Sequence, residues 1–124
     1  MQLKVTSREK SMGAFIVSPE GSIDTDTYLI LEEKVDVLLD TNPGMIIFDL
    51  EKLDYISSMG VRVIAKAKKA LKKSGGKVLL LNLQPQIRKV FEIIKALPSE
   101  QLFASVEEMD NYLYNMQKNT GKCE

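Results

Sequence analysis

Apolar and polar positions change their period several times along the chain, and each change marks an element. Leu3 to Ser7 alternate apolar and polar, and Ala14 to Val17 form a short apolar run. Two adjacent antiparallel strands are expected there, with a turn over the charged, Gly-containing segment 8–13. Ser18-Pro19-Glu20-Gly21 breaks the pattern. After Asp24, Leu31, Val35, Leu38 and Leu39 recur at i, i+4, i+7 and i+8, the stripe of an amphipathic helix, which Thr41-Asn42-Pro43-Gly44 should end. Met45 to Leu50 is a continuous apolar run, as in a strand covered on both faces.

The second half repeats this alternation. A helix is expected over Ser58 to Lys73, with Ile64, Ala67 and Leu71 inward and Ser74-Gly75-Gly76 as its stop. Lys77 to Leu81 reads as another buried strand. Pro85 suits the first turn of a third helix, with Ile87, Val90, Phe91 and Ile94 as its apolar stripe and Leu97-Pro98 as its end. Leu102-Phe103 is expected as a very short edge strand. A last helix should follow Ser105, with Val106, Met109, Leu113 and Met116 inward and Glu107 and Glu108 near its positive end.

This order predicts one α/β domain over residues 1–117, with residues 118–124 as a flexible tail. The expected architecture is a mixed sheet of four to five strands, with an antiparallel N-terminal pair and about four covering helices. In such sheets function tends to lie beyond the carboxyl ends of the strands. The segments Gly21 to Thr25 and Leu53 to Gly60 are the first candidates.

Composition narrows the chemistry. The 124 residues contain 17 basic and 17 acidic side chains and no histidine, which removes the commonest general base and metal ligand. The single cysteine, Cys123, has no partner for a disulfide or a thiolate site. We therefore expect no catalytic residue, no metal and no cofactor. The charged N-terminus lacks the apolar core of a signal peptide, and no run of about 18 apolar residues occurs. A cytoplasmic protein without a membrane span is the expectation.

Zero net charge conceals a segregation. Residues 1–54 hold 5 basic and 11 acidic side chains, whereas residues 55–91 hold nine basic ones and none that is acidic. Arg62, Lys66, Lys69 and Lys73 share one helix face, either as a solvated surface or as a dock for an acidic partner. Nucleic acid is disfavoured, because no aromatics interleave the lysines. At the start of the same helix stand Ser57 and Ser58. Each hydroxyl suits an N-cap, the commoner role, and a phosphate added there would meet the positive helix terminus.

The segment Tyr55-Ile56-Ser57-Ser58-Met59-Gly60-Val61 resembles the signature of the STAS family, the fold of bacterial anti-sigma-factor antagonists. Gly21-Ser22-Ile23-Asp24 resembles the family's loop before the first helix. The resemblance implies a non-enzymatic partner switch. Ser58 falls on the phosphorylatable serine, with adjacent Ser57 as the alternative site. The partner implied is an anti-sigma factor that binds ATP and acts as a serine kinase, with a serine phosphatase resetting the switch. Asp24 falls on the loop aspartate near the partner, and Gly60 on the helix-start glycine. Ser57 departs from the usual Asp, and Met59 is bulkier than the usual small residue. We include Asp24, Ser57, Ser58, Met59, Gly60, Arg62, Lys66 and Lys69 in the expected partner-binding surface. Arg62, one turn after Ser58, is placed to pair with a phosphate. Two alternatives are a STAS scaffold or adaptor of a stress-sensing or lipid-transport complex, without phosphorylation, and a phospho-aspartate receiver using Asp49.

Overall fold

The computed structural model describes residues 2–94, 102–103 and 106–122. Strands β1 (Leu3–Ser11) and β2 (Ala14–Ile23) lead to helix α1 (Tyr28–Leu39), strand β3 (Met45–Asp49), strand β4 (Leu53–Ile56) and helix α2 (Ser58–Lys73). Strand β5 (Lys77–Leu81), helix α3 (Pro85–Ile94), strand β6 (Leu102–Phe103) and helix α4 (Val106–Lys122) complete the order. Five strands form the continuous path β1-β2-β3-β5-β6, antiparallel at β1-β2 and parallel thereafter. The mixed α/β sheet with four helices agrees with the expected class.

Several boundaries differ for physical reasons. The N-terminal turn shrinks to Met12-Gly13, because β1 continues through Arg8 and Glu9, paired to Ile16 and Phe15. An edge strand has one side open to water, so charged residues there cost little. Strand β2 also runs through Ser18–Gly21 instead of breaking. Pro19 is tolerated because β2 pairs with β3 only over Ala14–Val17 and with β4 only from Gly21, so no parallel partner faces it. Beside that fork lies a cleft of about 200 Å³, lined by Ser18, Pro19, Asp49 and Glu51 among others.

Strand β4 has no counterpart in the expected order. Its four residues read apolar-polar-polar-apolar: Leu53 and Ile56 are buried and Asp54 and Tyr55 exposed, a pattern too short to show a period. It pairs in parallel with β2 through Leu53–Gly21, Tyr55–Ser22 and Ile56–Ile23.

Side-chain alternation divides the core between two faces. Val17, Ile46, Phe48, Val78 and Leu80 point to the face covered by α1, α2 and α3, where Leu31, Val35, Val61, Ile64, Leu71, Ile87 and Phe91 meet them. Their neighbours Ile16, Ile47, Leu79 and Leu81 point to the opposite face, against Met109, Tyr112 and Leu113 of α4. Each fully buried Leu, Ile or Phe contributes about 1.5–3 kcal/mol, so the three-helix face holds most of the stability. Ile94, expected inward, is exposed at the end of α3. Helix α4 continues to Lys122, past residue 117. The expected stop at Leu97-Pro98 and the side chains of Val106 and Met116 lie outside the described residues.

Candidate functional site

Pairing of Ile23 with Ile56 brings the two candidate loops side by side at the carboxyl ends of β2 and β4. The Ser57 amide donates to the Ile23 carbonyl at 2.7 Å and closes the junction. From it, α1 and α2 run back along the same face of the sheet, starting next to each other.

Gly21 makes the first loop possible. Its φ of +109° is a left-handed value, and an added Cβ would collide with the Gln2 carbonyl oxygen. Beyond it, Asp24 organises a tight turn. Its Oδ1 accepts the amides of Asp26 and Thr27, each at 2.9 Å. The buried Thr27 hydroxyl accepts the Asp24 amide at 2.9 Å and donates to the Ser22 carbonyl at 2.8 Å, with Asp24 Oδ1 at 3.1 Å. Asp24 thus builds the approach to α1, while Thr27 is the residue at the N-cap.

The Asp26 amide holds the Asp24 carboxyl below its ordinary value of 3.8, with a smaller opposing effect of desolvation and further lowering from Thr27. Because the folded value is depressed, this stabilisation is complete at neutral pH. It is lost as pH falls through the lowered value.

The second loop is built differently. Ser57 has the extended backbone of an N-cap, φ −90° and ψ 172°, yet its side chain makes no capping bond. Its Oγ is buried without a hydrogen-bond partner among the described residues, and the residue is 8% exposed. Ser58, the first helical residue, is exposed; Met59 is half-buried. Gly60 is buried where α2 packs onto the ends of β2 and β4. A Cβ there would lie 2.6 Å from Ile23 Cγ2 and 2.7 Å from Ile56 Cγ1, so only glycine permits this approach.

Every charged residue of α2 is basic, and its first turn has no acidic one. The expected cationic stripe is not uniform. Lys66 reaches across to α1, 3.4 Å from Asp36 and 3.6 Å from Glu32, and is committed to holding the two helices together. The hydrogen bond to Asp36, and then the charges of Asp36 and Glu32, raise its pKa above 10.5. That contribution is present at neutral pH and lost as pH rises through the raised value. Arg62 and Lys69 are exposed and make no ion pair among the described residues.

The structure thus brings Asp24, Ser57, Ser58, Met59 and Gly60 together, with Arg62 one turn along α2 and Lys69 further along it. Thr27 is the residue that sequence reasoning missed. Its signal was the spacing Asp24-Thr25-Asp26-Thr27, in which short polar side chains at i and i+3 tie a helix approach. Asp49, the receiver alternative, ends β3 with its Oδ1 accepting from Asn82 Nδ2 at 3.0 Å and from the Glu51 amide at 3.2 Å. No group of three or more metal-ligating side chains occurs among the described residues. No helix among them is long and apolar enough to cross a membrane.

Comparisons with known proteins give a consistent picture. The family model for the STAS domain matches residues 6–109, which removes the receiver reading of Asp49. Over 85 residues the chain is 34% identical to "Putative anti-sigma factor antagonist BtrV" of Bordetella bronchiseptica, covering 68% of this chain and 73% of that protein. The fold is shared with the anti-sigma factor antagonist SpoIIAA in its unphosphorylated form, with a TM-score of 0.77 at 20% identity over 90% of this chain and 97% of that one. The phosphorylated form of the Bacillus protein gives 0.72 at 20% identity, over 89% and 99%. A sulfate transporter family protein from Wolinella succinogenes shares it too, with a TM-score of 0.66 at 16% identity over 87% and 90%. The chain belongs to the STAS domain family and is similar within it to anti-sigma factor antagonists.

Proposed function

We propose that this protein is an anti-sigma factor antagonist and acts as a phosphorylation-controlled partner switch in the cytoplasm. Unphosphorylated, it binds an ATP-binding anti-sigma factor through the junction of the β2 and β4 loops and the start of α2. That partner transfers the γ-phosphoryl group of ATP to the Ser58 hydroxyl, releasing ADP and a proton. The added charge, about −1.5 to −2, makes a surface fitted to a neutral hydroxyl unfavourable and releases the partner. A serine phosphatase restores the hydroxyl. The protein itself catalyses no step.

The observation that carries this reading is the contrast between two adjacent serines. Ser58 is exposed at the helix start, whereas the Ser57 hydroxyl is buried, so Ser58 is the one a kinase reaches. Exposed Tyr55 and half-buried Met59 flank it with apolar surface suited to a protein partner.

The test is incubation with the cognate anti-sigma factor and ATP, read by intact mass. One phosphate should appear, and Ser58→Ala should abolish it while retaining partner binding. Ser58→Glu should lose the partner. Modification that persists in Ser58→Ala would move the site to Ser57, and equal affinity of Ser58→Ala and Ser58→Glu would overturn the switch and leave a constitutive scaffold.

A further inference from the structure

The Ser57 hydroxyl is an anomaly in a well-satisfied site. Buried hydroxyls are nearly always paired, and an N-cap serine normally accepts an amide of its own first turn. Here the Ser57 backbone has N-cap geometry, but Oγ has no hydrogen-bond partner among the described residues. The amides of Ser58, Met59 and Gly60 have no acceptor among the described residues, the Ser57 carbonyl being taken by Val61 at 3.2 Å. No acidic residue occupies the first turn, so the positive helix end is uncompensated. Arg62 is exposed at i+4 from Ser58, without an ion pair among the described residues. The site holds surplus donors and lacks an acceptor.

We propose that Ser57 is a reserve donor and that, with Arg62 and the free first-turn amides, it holds the phosphoryl group of phosphorylated Ser58 back against the start of α2. This rests on the reading of Ser58 as the modified residue. Ser57 adjoins the modified residue, so rotation about its χ1 makes the hydroxyl available as a donor to the phosphoryl group, and Arg62 stands one turn along the same helix. Asp24 and Asp26, the acidic residues of the adjacent loop, oppose the added charge; Asp24 Oδ1 is already committed to the amides of Asp26 and Thr27. Ser57 and Arg62 are therefore positioning residues for the modified state. The cost of the orphaned hydroxyl in the unmodified protein is recovered on phosphorylation, which makes the modified state persistent.

The experiment uses the full chain with phosphoserine installed at position 58 during translation, so no kinase is needed. Phosphorus NMR should show the second ionisation of the phosphate below its ordinary value of about 6, by roughly half a unit. Ser57→Ala and Arg62→Gln should each restore part of that shift, and Ser57→Thr should preserve it. In the unmodified protein Ser57→Ala should leave the melting temperature unchanged or raise it. In the phosphorylated protein the same change should lower it by about 2–3 °C. A phosphate that titrates near 6 in every variant, or a Ser57→Ala effect equal in both forms, would overturn the proposal. A kinase that ignores Ser58 would instead defeat the proposed function and leave these measurements standing.

Discussion

Helices α1 and α2 begin side by side from paired parallel strands, but their starts are opposites. At α1 the approach is closed: Asp24 and Thr27 consume the local amides, and the Thr27 hydroxyl is bonded on both sides. At α2 it is open: the N-cap hydroxyl is buried and idle, the first turn has no acidic side chain, and the amides of Ser58, Met59 and Gly60 have no acceptor among the described residues. Both starts derive from short polar residues after a strand, so residue type does not distinguish them. The closed start is scaffold, fixing where α1 leaves the sheet. The open start has capacity left over, and it carries the exposed serine.

Four perturbations sharpen or break this contrast. The largest effect belongs to Gly60→Ala, whose methyl group would press on Ile23 and Ile56 at less than 3 Å. A loss of about 2–3 kcal/mol in urea unfolding is expected, with reduced partner binding as α2 lifts from the sheet. Next is Thr27→Val, which keeps the volume but leaves the Asp24 amide and the Ser22 carbonyl unpaired. It should cost roughly 1–2 kcal/mol in the same measurement, with Ser58 unaffected.

Ser57→Ala, the matching change at the open start, should fall within about 0.5 kcal/mol of the parent and on the stabilising side, since it removes an unpaired buried hydroxyl. A loss as large as that of Thr27→Val would mean that Ser57 is a working cap and erase the distinction. The smallest effect is expected at Lys66, whose bridge to Glu32 and Asp36 is solvent-exposed. Lys66→Met should shift the melting point slightly at low ionic strength and not at all in about 1 M salt, where screening is complete within a few ångströms.

How much of this was legible beforehand depended on the physics behind each feature. Helix α2 and strand β5 have the expected limits, because a sustained 3.6-residue stripe and an unbroken apolar run are local signals. Strand β1 looked like a turn after Ser7 because an edge strand may be polar without penalty, and β4 was hidden by its brevity. At the site, residue types and their places after strands could be read in advance. Burial of Ser57 could not: it follows from the Ile23–Ile56 pairing, a contact between residues 33 positions apart. Nor could the commitment of Lys66, because its partners stand on another helix.

Strand β4 has one more consequence. Its four residues hold their place through the burial of Leu53 and Ile56, and a slip of one position would turn Asp54 or Tyr55 toward the core. The offset between the Asp24 loop and Ser58 is therefore set in whole residues, in steps of about 3.3 Å. The chain cannot tune that spacing gradually. The Lys52 carbonyl already takes the Gly21 amide at 3.1 Å, so the register is fixed from the Glu51-Lys52 turn onward. A single residue inserted between Ile56 and Ser58 would move the serine off its helix start, leaving the fold in place and the switch without its contact point.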